Sequence, residues 1–441
     1  MKARCLLWAC LAAIACTVAA EPSSIRDGFS LPITELQPAE REQFFRGRAL
    51  FRQSWTAPPA SAGTASGLGP LYNRLACVSC HARNGRGHAP DAPDERMQSM
   101  LVRLSVPGTG PHGAPRPHPA YGDQLNEEGV PGVPGEGRAE LRWHVTPMRL
   151  ADGTPVALRQ PRVRFTELAY GPLGPVRFSL RVSPAVAGLG LLEAVPEDRL
   201  RALAEERKPD GVRGKVNQVW DVAADRMVPG RFGLKANAPN LRQQSAGAFL
   251  GDMGITSALF PRENCMPAQT QCLRSPSAGH PELTDAQLDD VEFYLAHLAA
   301  PPRRQVDAPE VVRGEQVFAQ LGCAVCHRPD LGPARHARFG ALDGRAIPAY
   351  TDLLLHDMGP ALADGRPDYA AGAREWRTAP LWGLGLARQV NERAGFLHDA
   401  RARSFEEAIL WHGGEAATAQ RRYVRLDAQA RRTLAAFLDS L

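Results

Sequence analysis

The chain has 441 residues, of which 44% are hydrophobic, and its 52 Lys and Arg against 47 Asp and Glu give a formal net charge of +5. That length accommodates two or three domains with real cores. A charge balance this mild, without basic blocks, gives no ground for nucleic-acid binding.

Residues 1–20 have the three parts of a secretory leader. Lys2 and Arg4 form a basic start, an apolar run extends to Cys16, and Val18-Ala19-Ala20 offers a small-residue cleavage site before Glu21. The apolar run is too short to span a bilayer, and no later stretch is long and apolar enough to do so. The expected product is a periplasmic protein whose net charge falls to +3 once Lys2 and Arg4 are gone. Of the nine cysteines, Cys5, Cys10 and Cys16 leave with the leader. Cys265 and Cys272 are expected to pair as a loop-closing disulfide in an oxidising compartment.

After the leader, the apolar spacing of Phe44, Phe45, Leu50 and Phe51 predicts a helix over 38–55, stopped by Pro58-Pro59. The first Cys-x-x-Cys-His motif follows at Cys77-Val-Ser-Cys80-His81. Residues 90–134 are rich in Pro and Gly and read as a long irregular covering segment. Short alternating strands over 141–145, 156–158 and 163–165 flank Asp152-Gly153, a hairpin turn. Helices are expected over 197–207 and, capped by Thr284-Asp285, over 286–299. Residues 301–309 form the best linker. A helix over 310–320 then feeds the second motif, Cys323-Ala-Val-Cys326-His327, and further helices are expected near 404–411 and 427–438. The expected fold is mainly α. It comprises the signal peptide (1–20), a cytochrome c-like domain with a minor β-hairpin insertion (21–300) and a second cytochrome c-like domain (301–441).

In each motif Cys77 and Cys80, or Cys323 and Cys326, can take up the vinyl groups of a haem c while His81 or His327 ligates the iron. Far-side ligands are a separate matter. His88, His112, His118 and His144 follow the first motif, but none is well placed, which leaves an open position at that iron. For the second iron the candidates are His356, Met358, His398 and His412. Of these, His412 ends a helix and precedes Gly413-Gly414, which allow close approach. Peroxide cleavage at an open iron needs an acid–base group, for which Glu193 and Asp252 are candidates; a buried structural role suits Glu193 better. Trp376, Trp382 and Trp411 could relay electrons, although packing against porphyrin is the commoner use of tryptophan.

With these residues assembled, the chain resembles the di-haem oxidoreductase family, related to bacterial di-haem cytochrome c peroxidases and MauG-type enzymes. The resemblance is carried by residues 75–87, 183–196, 230–265 and 375–415, including Trp376-Arg377-Thr378-Ala379-Pro380-Leu381-Trp382-Gly383 and Phe396-Leu397-His398-Asp399. It implies that Gln244 and Asp252 take the places of the peroxidases' glutamine and catalytic glutamate, and it favours His412 over His398 as the second iron's ligand. It also implies peroxide as oxidant, a small redox protein or an oxidised protein or organic substrate as electron source, and calcium as a further cofactor in some relatives. Two departures are Ala400, where relatives have glycine, and Leu234, near where they place a tryptophan between the haems. The expected activity is peroxide reduction at haem one with electrons delivered through haem two. The alternative is a non-catalytic di-haem electron-transfer cytochrome.

Overall fold

The computed structural model describes residues 27–33, 35–59, 65–279 and 281–441; the leader expected over 1–20 lies outside them. Helix accounts for 32% of the chain and strand for 19%, which overturns the expectation of a mainly α protein. The physical reason lies in residues 90–182, where alternating apolar residues make sheet instead of loop.

The first helix, α1 (Pro38–Arg52), opens with Pro at its start and with Glu40 accepting the Gln37 N–H, and it buries Phe44, Gly47 and Phe51 on one face. Strand β1 (Met100–Thr109) buries Met100, Val102 and Leu104 and exposes Pro107, Gly108 and Thr109. The hairpin follows as β2 (Arg138–Arg149) and β3 (Pro155–Thr166), paired over twelve residues each, from Arg138↔Thr166 to Arg149↔Pro155. Asp152 closes its turn by accepting the Thr154 N–H at 3.0 Å, and Gly153 takes φ +86° there. Strand β4 (Arg177–Val182) pairs antiparallel with β1.

Helix α2 (Leu241–Met253) starts at the Asn240 cap, and Gly254 ends it at φ +67°. Helix α3 (Asp285–His297) carries the Thr284/Gln287 capping box. Residues 301–308 hold no helix or strand, and α4 (Pro309–Leu321) then runs through Gly322 straight into Cys323. Short strands β5 (Leu355–Asp357) and β6 (Glu375–Arg377) pair, and α5 (Phe405–Leu410) and α6 (Ala428–Ser440) start at Ser404 and Asp427 caps. Cys265 and Cys272 form the expected disulfide.

A repeated unit organises the two halves. In the first, α1 crosses α3 so closely that a Cβ on Gly47 would lie 1.9 Å from the Asp290 carbonyl oxygen; in the second, α4 crosses α6, and a Cβ on Gly314 would lie 1.9 Å from that of Thr433. Aromatic contacts beside each crossing match, Phe44 with Tyr294 at 4.9 Å and Phe318 with Phe437 at 5.1 Å. Each unit presents a phenylalanine to a motif histidine, Phe51 to His81 at 6.1 Å and Phe318 to His327 at 6.4 Å between centroids.

The β2–β3 ribbon is not a minor insertion. Near its base Ala139, Leu141, Val163 and Phe165 pack into one core with β1 and β4, while Leu150, Val156 and Leu158 at its tip pack into another with Phe318, Leu410 and Phe437. The strong twist of two-stranded ribbons lets opposite faces turn inward at the two ends. A buried ion cluster also joins the halves: Arg181 on β4 and Arg366 both bond Asp368, at 2.7 and 3.0 Å.

Candidate functional site

Both motifs are presented alike. Cys77–Cys80 forms a single helical turn and Cys323–Val325 a tighter one, so the paired thiols point from one short segment. All four thiols are free. Burial and the nearby Asp252 carboxyl push Cys77 and Cys80 up to about 12, and burial does the same to Cys323. His81 donates from Nδ1 to the Pro184 carbonyl at 2.8 Å, and His327 from Nδ1 to that of Tyr350 at 2.9 Å. These bonds fix the tautomer and leave Nε2 with a lone pair available to a metal. Burial lowers both histidines to about 4, which keeps the imidazoles neutral.

The second motif opens into a cavity of about 260 Å³ lined mainly by apolar residues, among them Leu381, Leu384 and Ile409. Cys323, Cys326 and His327 line it, and so does His412, two residues beyond α5. His412 donates from Nδ1 to the Ala408 carbonyl at 2.7 Å, burial lowers its proton affinity, and its Nε2 is left for a ligand. The other candidates are differently engaged. His356 is held at both nitrogens, Nε2 at 2.9 Å from Asp352 and Nδ1 at 2.7 Å from Glu415. Burial opposes its charge, but hydrogen bonds to Asp352, Cys326 and Glu415 prevail and push it up to about 12. The atoms of Cys326, Asp352 and His356 converge within 4.8 Å, yet an imidazole bonded at both nitrogens has no lone pair for a metal. His398 stacks on Trp376 at 3.7 Å and 11°, and Met358 lines the cavity.

At the first motif, the structure sets Asp252 in the last turn of α2, half-buried and close to Cys77 and Cys80. Its backbone carbonyl accepts the N–H groups of Asn73 and Arg74, just ahead of Cys77. Gln124 donates from Nε2 to its carboxylate at 2.9 Å and to the Gly251 carbonyl at 2.7 Å. Burial raises the proton affinity of Asp252, against the pull of Arg103 and Gln124. Gln244 lies two turns earlier on α2, about 12 Å back along the axis, so the structure does not bring it to Asp252. The amide that touches Asp252 is Gln124, and Arg103 is the neighbouring cation. Neither carries a sequence signal, since β1 and the following loop deliver them from far along the chain.

Glu193 accepts the Leu241 N–H at 2.7 Å and faces His336 at 3.1 Å, a structural cap on α2. Among the histidines weighed for the first iron, His118 is bonded at both nitrogens, to Leu173 and Ala120. His112 stacks on Trp220, and His144 is exposed on β2. His88 is half-buried among Arg393, Glu95 and Asp91.

The two sites are joined through Arg86, five residues after His81. It lines the second cavity and bonds the carbonyls of Gly395 and Leu397, next to His398. Of the three tryptophans weighed as relays, Trp376 lines that cavity, whereas Trp382 packs against Gly188 and Trp411 lies under Arg401 at 4.6 Å.

These residues fit two haems. Each motif offers two free thiols with two residues between them and a neutral imidazole with one nitrogen tied, and the second adds an apolar cavity with a further imidazole. Comparison with known proteins agrees: a family model described as "Di-haem oxidoreductase, putative peroxidase" matches residues 12–441. No curated protein sequence matches. Among solved structures, hydrazine synthase of Kuenenia stuttgartiensis is similar at 13% identity over 99% of this chain and 100% of that one, with a TM-score of 0.35.

Proposed function

The chain belongs to the di-haem oxidoreductase family, and from that premise we propose that it is a periplasmic, peroxidase-like enzyme with two covalently attached haems c. Peroxide would be reduced at the site on His81, and electrons would enter through the site on His327 and His412. Haem held by Cys77, Cys80 and His81 would supply peroxide-reducing iron chemistry, and haem held by Cys323, Cys326, His327 and His412 would supply a one-electron store.

The observation that supports this reading is the asymmetry of the sites. The second cavity has an imidazole from each of two segments, whereas the first motif has the Asp252–Gln124–Arg103 cluster beside its cysteines. Reduction of hydrogen peroxide to two waters takes up two electrons and two protons. Asp252, with its proton affinity raised by burial, can accept a proton from one peroxide oxygen and return it to the other. Gln124 holds the carboxylate's orientation through its bond to Oδ1, and Arg103, itself paired with Asp123 at 3.0 Å, is the cation whose charge acts on Asp252. For electrons, Arg86, bonded to Leu397, and the His398–Trp376 stack lie between the first motif and the second cavity and support a route through them.

Electron paramagnetic resonance of the oxidised protein should show one high-spin and one low-spin iron, with turnover of hydrogen peroxide. Asp252→Asn should slow peroxide cleavage by about 10²-fold or more while both haem spectra stay intact. Two low-spin irons in both redox states, without turnover, would leave the electron-transfer cytochrome as the reading.

A further inference from the structure

We infer that the outward face of the β2–β3 ribbon is the docking surface for an acidic redox protein that delivers electrons to the second haem site; this rests on the functional reading above and names its partner class. Over the base of the ribbon, Arg138, Glu140, Arg142 and His144 on β2 share a face with Thr166, Arg164, Arg162 and Gln160 on β3. Arg142, Arg162 and Arg164 are exposed. Arg138 pairs with Glu167 at 3.4 Å, and Glu140 lies opposite Arg164 in the register and accepts a bond from Thr166. Among the described residues Arg142, Arg162 and Arg164 have no carboxylate partner within ion-pair distance.

Arg142 and Arg162 are directly opposed in the register. Like charges opposed across an antiparallel pair are destabilising, and among the described residues no carboxylate forms an ion pair with either arginine. The opposite side of the same stretch is fully used, with Leu141 in a core, Trp143 bonded to Pro90, and Arg159 stacked on Trp143 at 4.0 Å. The arginines are therefore left over from folding, on a chain whose net charge is otherwise mild. The charged stretch runs about 20 Å along the strands, a size suited to the small, transient interfaces of electron-transfer partners. An excess of positive charge there selects a partner with a carboxylate-rich face and speeds its encounter.

Position ties this face to the second site. Arg159 on β3 donates to the carbonyls of Arg401 and Ala400, and Arg403 donates to that of Ala157 at 2.7 Å. Those residues lead into α5, which ends two residues before His412. The docking face is therefore the outer side of a strand whose inner side touches the segment that leads to His412.

The test uses the haem-loaded protein with two probes of the same size and fold, reduced cytochrome c, which is basic, and its succinylated, acidic form. With peroxide present at low ionic strength, the succinylated form should be oxidised about tenfold faster or more, and the preference should fade as salt is added. Arg142→Glu/Arg162→Glu/Arg164→Glu should abolish the preference, and the milder Arg→Gln triple variant should reduce it. Turnover with a small organic donor should be unchanged in both. Reversing Arg199, Arg207 and Arg425 elsewhere should leave the preference in place. Complex formation by sedimentation needs no turnover, so a protein inactive toward peroxide that still binds the acidic probe through these arginines would fail the functional reading alone. Equal or faster oxidation of the basic probe, or a preference surviving charge reversal, would overturn the docking surface. So would binding of phosphatidylglycerol vesicles through the same arginines without any preference between the probes.

Discussion

The proposed second haem site turns on a single residue, His412. Its Nδ1 bond to Ala408 aims the other nitrogen away from its own helix, and burial keeps the ring neutral. His412→Ala is expected to convert the second haem from low to high spin, read in the optical spectrum, while the first haem is unchanged; an identical spectrum rules the ligand out. A second residue-scale effect concerns stability. Glu263 faces Glu282, which already accepts bonds from Thr256 and Ser277, and burial together with that neighbour pushes Glu263 up to about 8. A carboxyl with its folded pKa raised binds its proton more tightly folded than unfolded. Its stabilisation is therefore complete below the ordinary carboxylate pKa and is lost as pH rises through about 8. The thermal midpoint should fall by several degrees from about pH 5 to about pH 9, and Glu263→Gln should flatten that slope. A wild-type midpoint that rises over this range contradicts the assignment.

At the scale of elements, the two helix crossings make the sharpest demand on sequence. Gly47 and Gly314 each face a backbone carbonyl at a distance no side chain tolerates, so Gly47→Ala or Gly314→Ala must push two helices apart. Each should cost about 1–3 kcal/mol or more, seen as a lowered denaturation midpoint, and should loosen Phe51 from His81 or Phe318 from His327. Unchanged midpoints would mean the crossings are looser than described. The sequence carries this repeat openly, as Arg46-Gly47-Arg48-Ala49-Leu50-Phe51 and Arg313-Gly314-Glu315-Gln316-Val317-Phe318, though reading the halves for haem motifs alone passes over it. The paired thiols and the imidazole of each motif were legible because they fall within five adjacent residues, and the cap at Thr284 because capping is local. Strand β1 was not, since Pro107 and Gly108 mask the alternation of Met100, Val102 and Leu104. Gln124 and Arg103 were not legible either, because only tertiary packing carries them to Asp252.

For the whole molecule, the question is what makes two haem halves behave as one body. The ribbon is anchored at both ends, in the first half through Leu141 and Phe165 and in the second through Val156 and Leu158. Arg431 also grips Asp152 at its turn at 2.7 Å, and the Ala151 N–H bonds the Val424 carbonyl. Contacts made with both halves couple their unfolding, because freeing either end exposes apolar surface belonging to the other. Wild-type protein should therefore melt in a single calorimetric transition. Val156→Ala/Leu158→Ala removes the tip's apolar anchor, at about 2–5 kcal/mol for the leucine alone, and should split that transition in two and open the 150–155 turn to proteolysis. The buried Arg181–Asp368–Arg366 cluster offers a rival coupling, held by charges that are costly to separate once desolvated. A single transition that merely moves to lower temperature in the double variant would assign the coupling to that cluster. Asp368→Asn should then be the change that divides it.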